Sequence, residues 1–153
     1  MIRLRQPIES DWKPILDVVN LIVPGDDTEN QSWVENRRNF DEDALRRRHY
    51  TVEENGHVVG YGCVEETETE PGWFRVHICL PNERLTDPVA HDLHAKLWES
   101  LQDSDATGAW ARDWSTLTEV ADYFQRLGYV ESGRYATGDR GIVVWKKPLA
   151  EAA

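Results

Sequence analysis

The chain has 153 residues, of which 40% are hydrophobic, and it carries a formal net charge of −11. This length suits one compact domain with a core of its own. The negative field repels phosphate backbones, so we expect no nucleic-acid partner. It would attract a cationic acceptor such as a small-molecule amine, although such a charge also keeps a protein in solution without any partner.

Cysteine usage and the N-terminus bear on the compartment. Cys63 and Cys79 each lie in an apolar, strand-like run, which predicts reduced buried thiols and argues against a disulfide scaffold or a cysteine-rich zinc site. The first residues lack the apolar core of a signal peptide. No run approaches the roughly 18 to 20 apolar residues that a membrane span needs. We therefore expect a cytoplasmic protein without a membrane partner.

The first third of the chain predicts a strand and helices. Residues 2–6 alternate apolar and charged side chains, as a half-buried strand does. Ser10 or Asp11 can cap a helix whose apolar residues recur at helical spacing between Trp12 and Val19. After a break at residues 24–27, a second helix or helix pair is expected from about Glu29 to Arg48.

The middle of the chain predicts a hairpin, a buried strand and a helix. Asn55-Gly56 favours a tight turn between strands at 50–54 and 57–65, and residues 65–72 form an acidic loop. Trp73 to Leu80 is an apolar strand that Pro81 ends. Asp87-Pro88 is a typical helix start, in which the Asp87 carboxylate would cap free backbone N–H groups of a helix reaching Leu101. A strand that leads into a helix N-terminus is a frequent phosphate site.

The last third predicts three strands around one helix. The strands are expected at 109–112, 129–137 and 141–147, and the helix at 117–127, capped by Ser115 or Thr116 and ended by Gly128. The whole order predicts one α/β domain over residues 1–149, with a mixed, mainly antiparallel central sheet and a frayed tail at 150–153.

Few side chains on these elements suggest chemistry. His77 is the one neutral-pH titrating group on the 73–80 strand and shares a face with Arg75 and Cys79, so it is a candidate general base, or a structural histidine. Spacing alone supports no role for Cys79 as a nucleophile. His91 and His94 are three residues apart on a helix, but no further ligands converge on them, so we expect no metal.

Three segments, in this order, carry a family resemblance. Residues 2–12 resemble an opening strand and first helix, residues 54–62 resemble the hairpin pattern E-x-D-G-x-V-V-G-Y, and residues 121–129 resemble A-x-x-F-Y-x-x-x-G-F. Together they are similar to the GNAT superfamily of acetyl-CoA-dependent N-acetyltransferases. The resemblance implies about seven strands flanked by about four helices. It also implies transfer of acetyl from acetyl-CoA to an amine of a small molecule.

The resemblance places the acetyl-CoA site at the 73–101 segment. Ile78, Cys79 and Leu80 would hold the pantetheine arm on a fourth strand that splays from the fifth. The diphosphate loop, R/Q-x-x-G-x-G/A in the family, would place Arg84 on the arginine and Leu85, Asp87 and Val89 on the glycine positions, with Thr86 between them. Side chains thus replace glycines that allow close approach, and Asp87 adds a like charge worth ~1 kcal/mol of repulsion at about 4 Å in water.

A second departure concerns the proton donor for the leaving thiolate. The family often uses the Tyr of its F-Y pair, and that position here is Phe124. Tyr123 is adjacent but points about 100° away around the helix. The candidate catalytic residues are therefore His77 and Tyr123, and the candidate cofactor-binding residues run from Ile78 to Leu80 and from Arg84 to Asp87.

Two other functions stay open at this point. A chain with this loop would also suit a catalytically inactive GNAT-fold domain that serves binding or assembly. Such a domain would be one degenerate half of a tandem protein. Alternatively, it would pair with a second GNAT-like domain or form a homodimer. Alternatively, exposed tryptophans among Trp98, Trp110 and Trp114 would dock a partner, although core packing explains them more simply.

Overall fold

A computed structural model describes residues 1–23, 27–39, 47–67, 69–102, 104–114, 117–137 and 140–149. The elements in chain order are β1 (Ile2–Arg5), a 3₁₀ turn (Glu9–Asp11), α1 (Trp12–Ile22), α2 (Asp27–Arg38), β2 (Arg47–Glu54), β3 (His57–Glu66), β4 (Trp73–Cys79), a 3₁₀ turn (Asn82–Arg84), α3 (Pro88–Gln102), β5 (Gly108–Trp114), α4 (Thr118–Arg126), β6 (Val130–Thr137) and β7 (Arg140–Pro148).

All seven strands form one sheet in the order β1-β2-β3-β4-β5-β7-β6. Every neighbouring pair is antiparallel except β4 and β5, which run parallel. The predicted α/β class with a mixed, mainly antiparallel sheet is therefore confirmed. The β4–β5 pair needs a crossover, and α3 supplies it because parallel strands cannot be joined by a tight turn.

Helices cover both faces of the sheet. The larger core lies between the sheet and α3 and α4, where Val64, Leu93 and Leu97 are inaccessible to solvent. A smaller core on the other face joins α1, α2 and β3 through Ile15, Val34 and Tyr61. Strand side chains alternate between these two layers, which we call the α3/α4 face and the α1/α2 face.

Two predicted chain reversals are confirmed by backbone geometry. Asn55 and Gly56 have φ values of 52° and 84°, as a tight hairpin turn between β2 and β3 requires. Gly128 ends α4 at φ 94°, and the next N–H, of Tyr129, donates to the Phe124 carbonyl at 3.0 Å. This is the usual way in which a glycine closes a helix.

The prediction of helix from about 29 to 48 is wrong at its C-terminal end. α2 ends at Arg38, and Arg47 and Arg48 already belong to β2, paired with Glu65 and Val64 of β3. Long charged side chains tolerate helix and strand alike, so pairing with the neighbouring strand decides the conformation. β3 also extends one residue beyond its predicted end at Glu65, to Glu66, which the sequence assigned to the acidic loop.

Several sequence predictions fall outside the described residues. They are most of the break at 24–27, the residues between α2 and β2, Glu68 of the acidic loop, the caps Ser115 and Thr116, the centre of the turn before β7, and the tail at 150–153. Among the helices that the structure does describe, none combines the length and apolar character needed to cross a membrane.

Candidate active site

The sheet opens between β4 and β5. Their parallel pairing covers three residue pairs, from Trp73 with Gly108 to Arg75 with Trp110. A Cβ on Gly108 would lie 2.5 Å from the Lys147 carbonyl oxygen of β7 and 2.7 Å from the Trp73 ring of β4, so glycine at the start of β5 allows both neighbours to approach closely. Beyond Arg75 no strand pairing to β5 continues within the described residues, and the edge of β4 is left to face a cavity.

This cavity has a volume of about 570 Å³ and receives side chains from both faces of the sheet. On the α3/α4 face its wall is apolar. Apart from Asn82, Asp113 and Tyr123, the side chains of that wall are apolar and come from β4, the following loop, and α4 with the residue before it: Val76, Ile78, Leu80, Leu85, Leu117, Val120 and Phe124. Such a wall suits the aliphatic part of a long ligand arm.

On the α1/α2 face the cavity wall combines polar side chains with the apolar Ile22, Val23 and Ile142. Arg75, His77 and Cys79 project there from β4 because alternate strand residues share a face. Arg112 of β5 adds a second guanidinium, and its Nη1 donates to the hydroxyl of Tyr135 on β6 at 2.8 Å. The opening between the strands therefore joins an apolar side to a cationic side.

His77 lies in a hydrogen-bonded group on this polar wall. Its Nε2 is 3.2 Å from Glu65 Oε1, and Arg37 donates to the same oxygen at 2.5 Å. Burial lowers the pKa of His77 to about 4, against the opposing effect of Glu65. The ring is therefore neutral at pH 7. Since a carboxylate can only accept, Nε2 carries the hydrogen and Nδ1 keeps a free lone pair.

Tyr123 and Phe124 both line the cavity, but the Tyr123 hydroxyl is occupied. It donates to the Ala90 carbonyl in the first turn of α3 at 2.6 Å, and burial raises its pKa. Tyr123 thus ties α4 to α3. Its role as a proton donor stays a prediction, since the proton that it would transfer is held by Ala90 in this structure.

The three predicted pantetheine contacts, Ile78, Cys79 and Leu80, all line the cavity. Cys79 and Cys63 are free thiols, as predicted. Burial raises the pKa of both, to about 12 for Cys63, so neither forms a thiolate at neutral pH. This agrees with assigning no nucleophilic role to Cys79.

The loop after β4 uses its own backbone donors. The N–H groups of Arg84, Leu85 and Asp87 donate to carbonyls three residues earlier, at 2.9, 3.1 and 3.0 Å. α3 begins directly after Asp87, as predicted. The Asp87 carbonyl accepts the Ala90 N–H at 3.0 Å, and the Asp87 carboxylate lies 3.8 Å from Arg84; that this carboxylate caps the helix stays a prediction.

Side chains hold the same loop in place. Arg84 forms a bidentate pair with Glu54 at the end of β2, at 2.8 and 3.0 Å, and this pairing lowers the pKa of Glu54. Leu85 is 3% exposed and belongs to the larger core. Arg84, Thr86 and Asp87 do not line the cavity, whereas Leu85 does. The cavity therefore suits an acyl-pantetheine arm, whereas in the loop three N–H groups are already bonded to carbonyls and Arg84 is paired with Glu54.

Other candidates have structural roles. His94 Nε2 lies 2.7 Å from the buried Tyr129 hydroxyl, and burial lowers its pKa to about 3. Within the described part of the chain, no three His, Cys, Asp or Glu side chains are grouped as a metal would need. None of the six tryptophans whose side chains are described is exposed, so those six give no support to the docking hypothesis.

The sequence indicated no role for Arg112 or Tyr135, which the structure brings to the cavity, and it did not indicate that Glu65 meets His77. Arg112 and Tyr135 meet only because β6 and β7 fold back beside β5. Glu65 reaches His77 through the β3–β4 register, in which Cys63 pairs with His77 and Glu65 pairs with Arg75. The period-two alternation of β5 could have placed Arg112 on the face of Trp110, but not beside a tyrosine 23 residues away.

Comparison by sequence and comparison by structure give different results. No protein-family model matches the chain, and no curated protein sequence matches it.

Three solved structures are similar to it at low sequence identity. A protein from Desulfovibrio desulfuricans assigned to the GNAT family of acetyltransferases has a TM-score of 0.81 at 14% identity, covering 98% of this chain and all of its own. A protein from Salmonella typhimurium assigned as an acetyltransferase was solved with its cofactor acetyl-CoA. It has a TM-score of 0.77 at 16% sequence identity, and the match covers 100% of this chain and 96% of that protein. The ribosomal-protein-alanine N-acetyltransferase from Brucella melitensis has a TM-score of 0.76 at 18% sequence identity, and the match covers 96% of this chain and 99% of that protein. The chain described here therefore has the GNAT fold.

Proposed function

We propose that this protein is an N-acyltransferase that uses acetyl-CoA and acetylates an amine of a small molecule. The observation that carries the proposal is the cavity where β4 and β5 part, with an apolar wall on one face and a neutral histidine on the other. A thioester arm entering from the α3/α4 face would present its acyl group to the α1/α2 face. The acetyl-CoA seen in the Salmonella neighbour supports this choice of donor.

The open edge of β4 is suited to hold such an arm. Beyond Arg75 the backbone groups that point toward β5 have no strand partner within the described residues, so they can hydrogen-bond the amides of a pantetheine. Leu80, Val120 and Phe124 supply apolar contact along the same path. Binding would therefore resemble the addition of one more extended segment to the sheet.

We infer that His77 accepts the proton of the acceptor amine. Transfer forms a C–N bond, breaks the thioester C–S bond, releases coenzyme A as a thiolate that takes a proton from solvent, and requires the amine to lose a proton. Nδ1 of the neutral ring can take it directly or through one water, while Glu65 and Arg37 hold the ring in place. We expect His77→Gln to lower kcat by at least about 100-fold, as loss of a general base does.

The test is a thiol-release assay with acetyl-CoA and a panel of small amines. Leu117→Trp would fill the cavity from α4, and Val130→Trp, at a position 66% exposed on β6 and away from it, is the matched control. We expect amine-dependent thiol release by the wild type and by the control, and none by Leu117→Trp. Absence of release with every amine, or equal release by both variants, would disprove the proposal.

A second function is favoured by the closed loop. If the bonded loop and the Arg84–Glu54 pair exclude the diphosphate, the domain would serve binding or assembly without catalysis. Calorimetry with acetyl-CoA separates the two. Micromolar binding by the wild type, about −8 kcal/mol, supports the transferase. No binding by the wild type with gain in Asp87→Gly supports the non-catalytic function.

A further inference from the structure

Two arginines of the cavity lack an acidic partner. Neither Arg75 nor Arg112 has a carboxylate within 4.0 Å among the described residues, and the buried Nε of Arg75 has no hydrogen-bond partner at all. Most other described arginines do pair with carboxylates, namely Arg3, Arg5, Arg37, Arg38, Arg84 and Arg134. In a chain with a net charge of −11, an uncompensated pair of cations at one cavity is unexpected.

The two guanidinium groups are close enough to affect each other. Arg75 lies 5.3 Å from the ring of Trp110, its partner on β5, and Arg112 is two residues further along the same face. Burial and then the charge of Arg112 lower the pKa of Arg75 to about 10. Arg75 therefore stays protonated at pH 7, and the pair raises the local positive potential.

The neighbouring groups do not cancel this charge. Glu65 attracts Arg75 electrostatically, but the pKa shift it causes is smaller than those from burial and from Arg112, and its Oε1 already accepts from Arg37 and from His77. His77 itself is neutral. Arg112 donates to Tyr135, which is uncharged as a phenol. A buried cation without a partner is costly, and a planar anion that accepts two N–H bonds would relieve that cost.

We propose that Arg75 and Arg112 bind the carboxylate of the acceptor, so that the acceptor is an α-amino acid or a similar amine with an adjacent carboxylate. This rests on the proposed transferase function. Arg75 and His77 are two residues apart on one strand face, with Cα atoms about 6.6 Å apart. An α-amino acid can place its carboxylate at the arginines and its nitrogen toward the histidine.

This assignment changes the expected acceptor. The net charge and the acidic loop by themselves favour a plain cationic amine. The cavity places positive charge where the acceptor would lie, so a polyamine would be repelled and a zwitterion would be held by its anionic end. Ile22, Val23 and Ile142 line the same cavity, which favours an apolar amino-acid side chain.

The test is a calorimetric titration with N-acetyl-L-leucine and N-acetyl-L-phenylalanine, and with their uncharged amides. No coenzyme A is present, so the result does not depend on whether the protein is a transferase. We expect each acid to bind at least tenfold more tightly than its amide. Arg75→Gln and Arg112→Gln should abolish that preference, and Arg126→Gln, at an exposed position on α4, should keep it.

Arg112 is exposed, so its variant keeps the test decisive even if Arg75→Gln fails to fold. Equal binding of acids and amides, no binding of either acid, or equal effects of Arg112→Gln and the Arg126 control would each overturn the proposal. A turnover arm identifies which substrate carries the carboxylate. With leucinamide as acceptor, a tenfold preference for succinyl-CoA over acetyl-CoA would assign the arginines to the acyl group and overturn the acceptor assignment.

Discussion

Replacing Leu85 by alanine tests whether the loop after β4 is part of the core rather than a flexible ligand site. Leu85 is 3% exposed and packs in the larger core, in a position where the family pattern has a glycine. Leucine-to-alanine changes at such buried sites cost about 2–5 kcal/mol, and we expect about 3 kcal/mol here. For a domain of this size the melting temperature should fall by about 6–12 °C.

The assay is urea unfolding followed by tryptophan fluorescence, since the chain has seven tryptophans. Thr86→Ala is the control, because Thr86 is exposed and adjacent, and its effect should stay within about 0.5 kcal/mol. If the free energy of unfolding depends on urea concentration with the same slope in the wild type and the variant, then only stability has changed. A loss below about 1 kcal/mol for Leu85→Ala would refute the reasoning, since the loop could then rearrange around a phosphate at little cost.

Three further variants test the site. Tyr123→Phe should lower the free energy of unfolding by about 1 kcal/mol, because the hydrogen bond to Ala90 is lost in a buried setting. Glu54→Gln should tighten acetyl-CoA binding several-fold in calorimetry, because it frees Arg84 to meet a phosphate. The pKa of His77 is about 4 in the folded protein and 6.5 in an unfolded chain, so the unfolded state takes up the proton first as the pH falls. The free energy of unfolding should therefore decline from pH 6.5 toward pH 4, and His77→Gln should make that decline shallower.

The Glu54 and His77 variants each have a neighbouring residue that serves as control. Glu53→Gln removes a carboxylate that pairs with Arg3 and Arg5 instead of Arg84, so it should leave acetyl-CoA affinity unchanged. His57→Gln changes an exposed histidine on β3 and should keep the wild-type pH dependence. Identical acetyl-CoA affinities for the two glutamate variants, or identical pH slopes for the two histidine variants, would contradict the corresponding assignment.

Local signals explain what could be predicted from sequence. The Asn55-Gly56 turn, the Gly128 helix end and the shared face of Arg75 and His77 each depend on residues within a few positions of one another. The element order then limits the topology to a mixed sheet. The prediction of helix through Arg48 failed because that residue is held by β3, which lies later in the chain.

The cavity itself depends on distant pairing. Its cationic wall needs β5 beside β4, and β6 beyond β7, before Arg112 can reach Tyr135. Nor does spacing reveal that Glu54 neutralises Arg84 from 30 residues away, or that Leu85 turns into the core. The missing glycines were visible in the sequence, but the physical reason why the loop stays closed was not.

The cavity is open and the loop after β4 is closed, so we expect the acyl-pantetheine part of acetyl-CoA, and not its nucleotide, to supply most of the binding affinity. The cavity offers an apolar wall and a free strand edge to the acyl-pantetheine arm, whereas Arg84 is paired and the N–H groups of Arg84, Leu85 and Asp87 are bonded within the loop. S-acetylpantetheine, which lacks the nucleotide and the diphosphate, should therefore bind within about threefold of acetyl-CoA, a difference of about 0.7 kcal/mol. In the Glu54→Gln variant the affinity for acetyl-CoA should rise above that for S-acetylpantetheine, because only acetyl-CoA has phosphates that the freed Arg84 can bind. A hundredfold preference of the wild type for acetyl-CoA would mean that the loop opens to the diphosphate despite its hydrogen bonds, and the closed loop would then be a state that the ligand displaces.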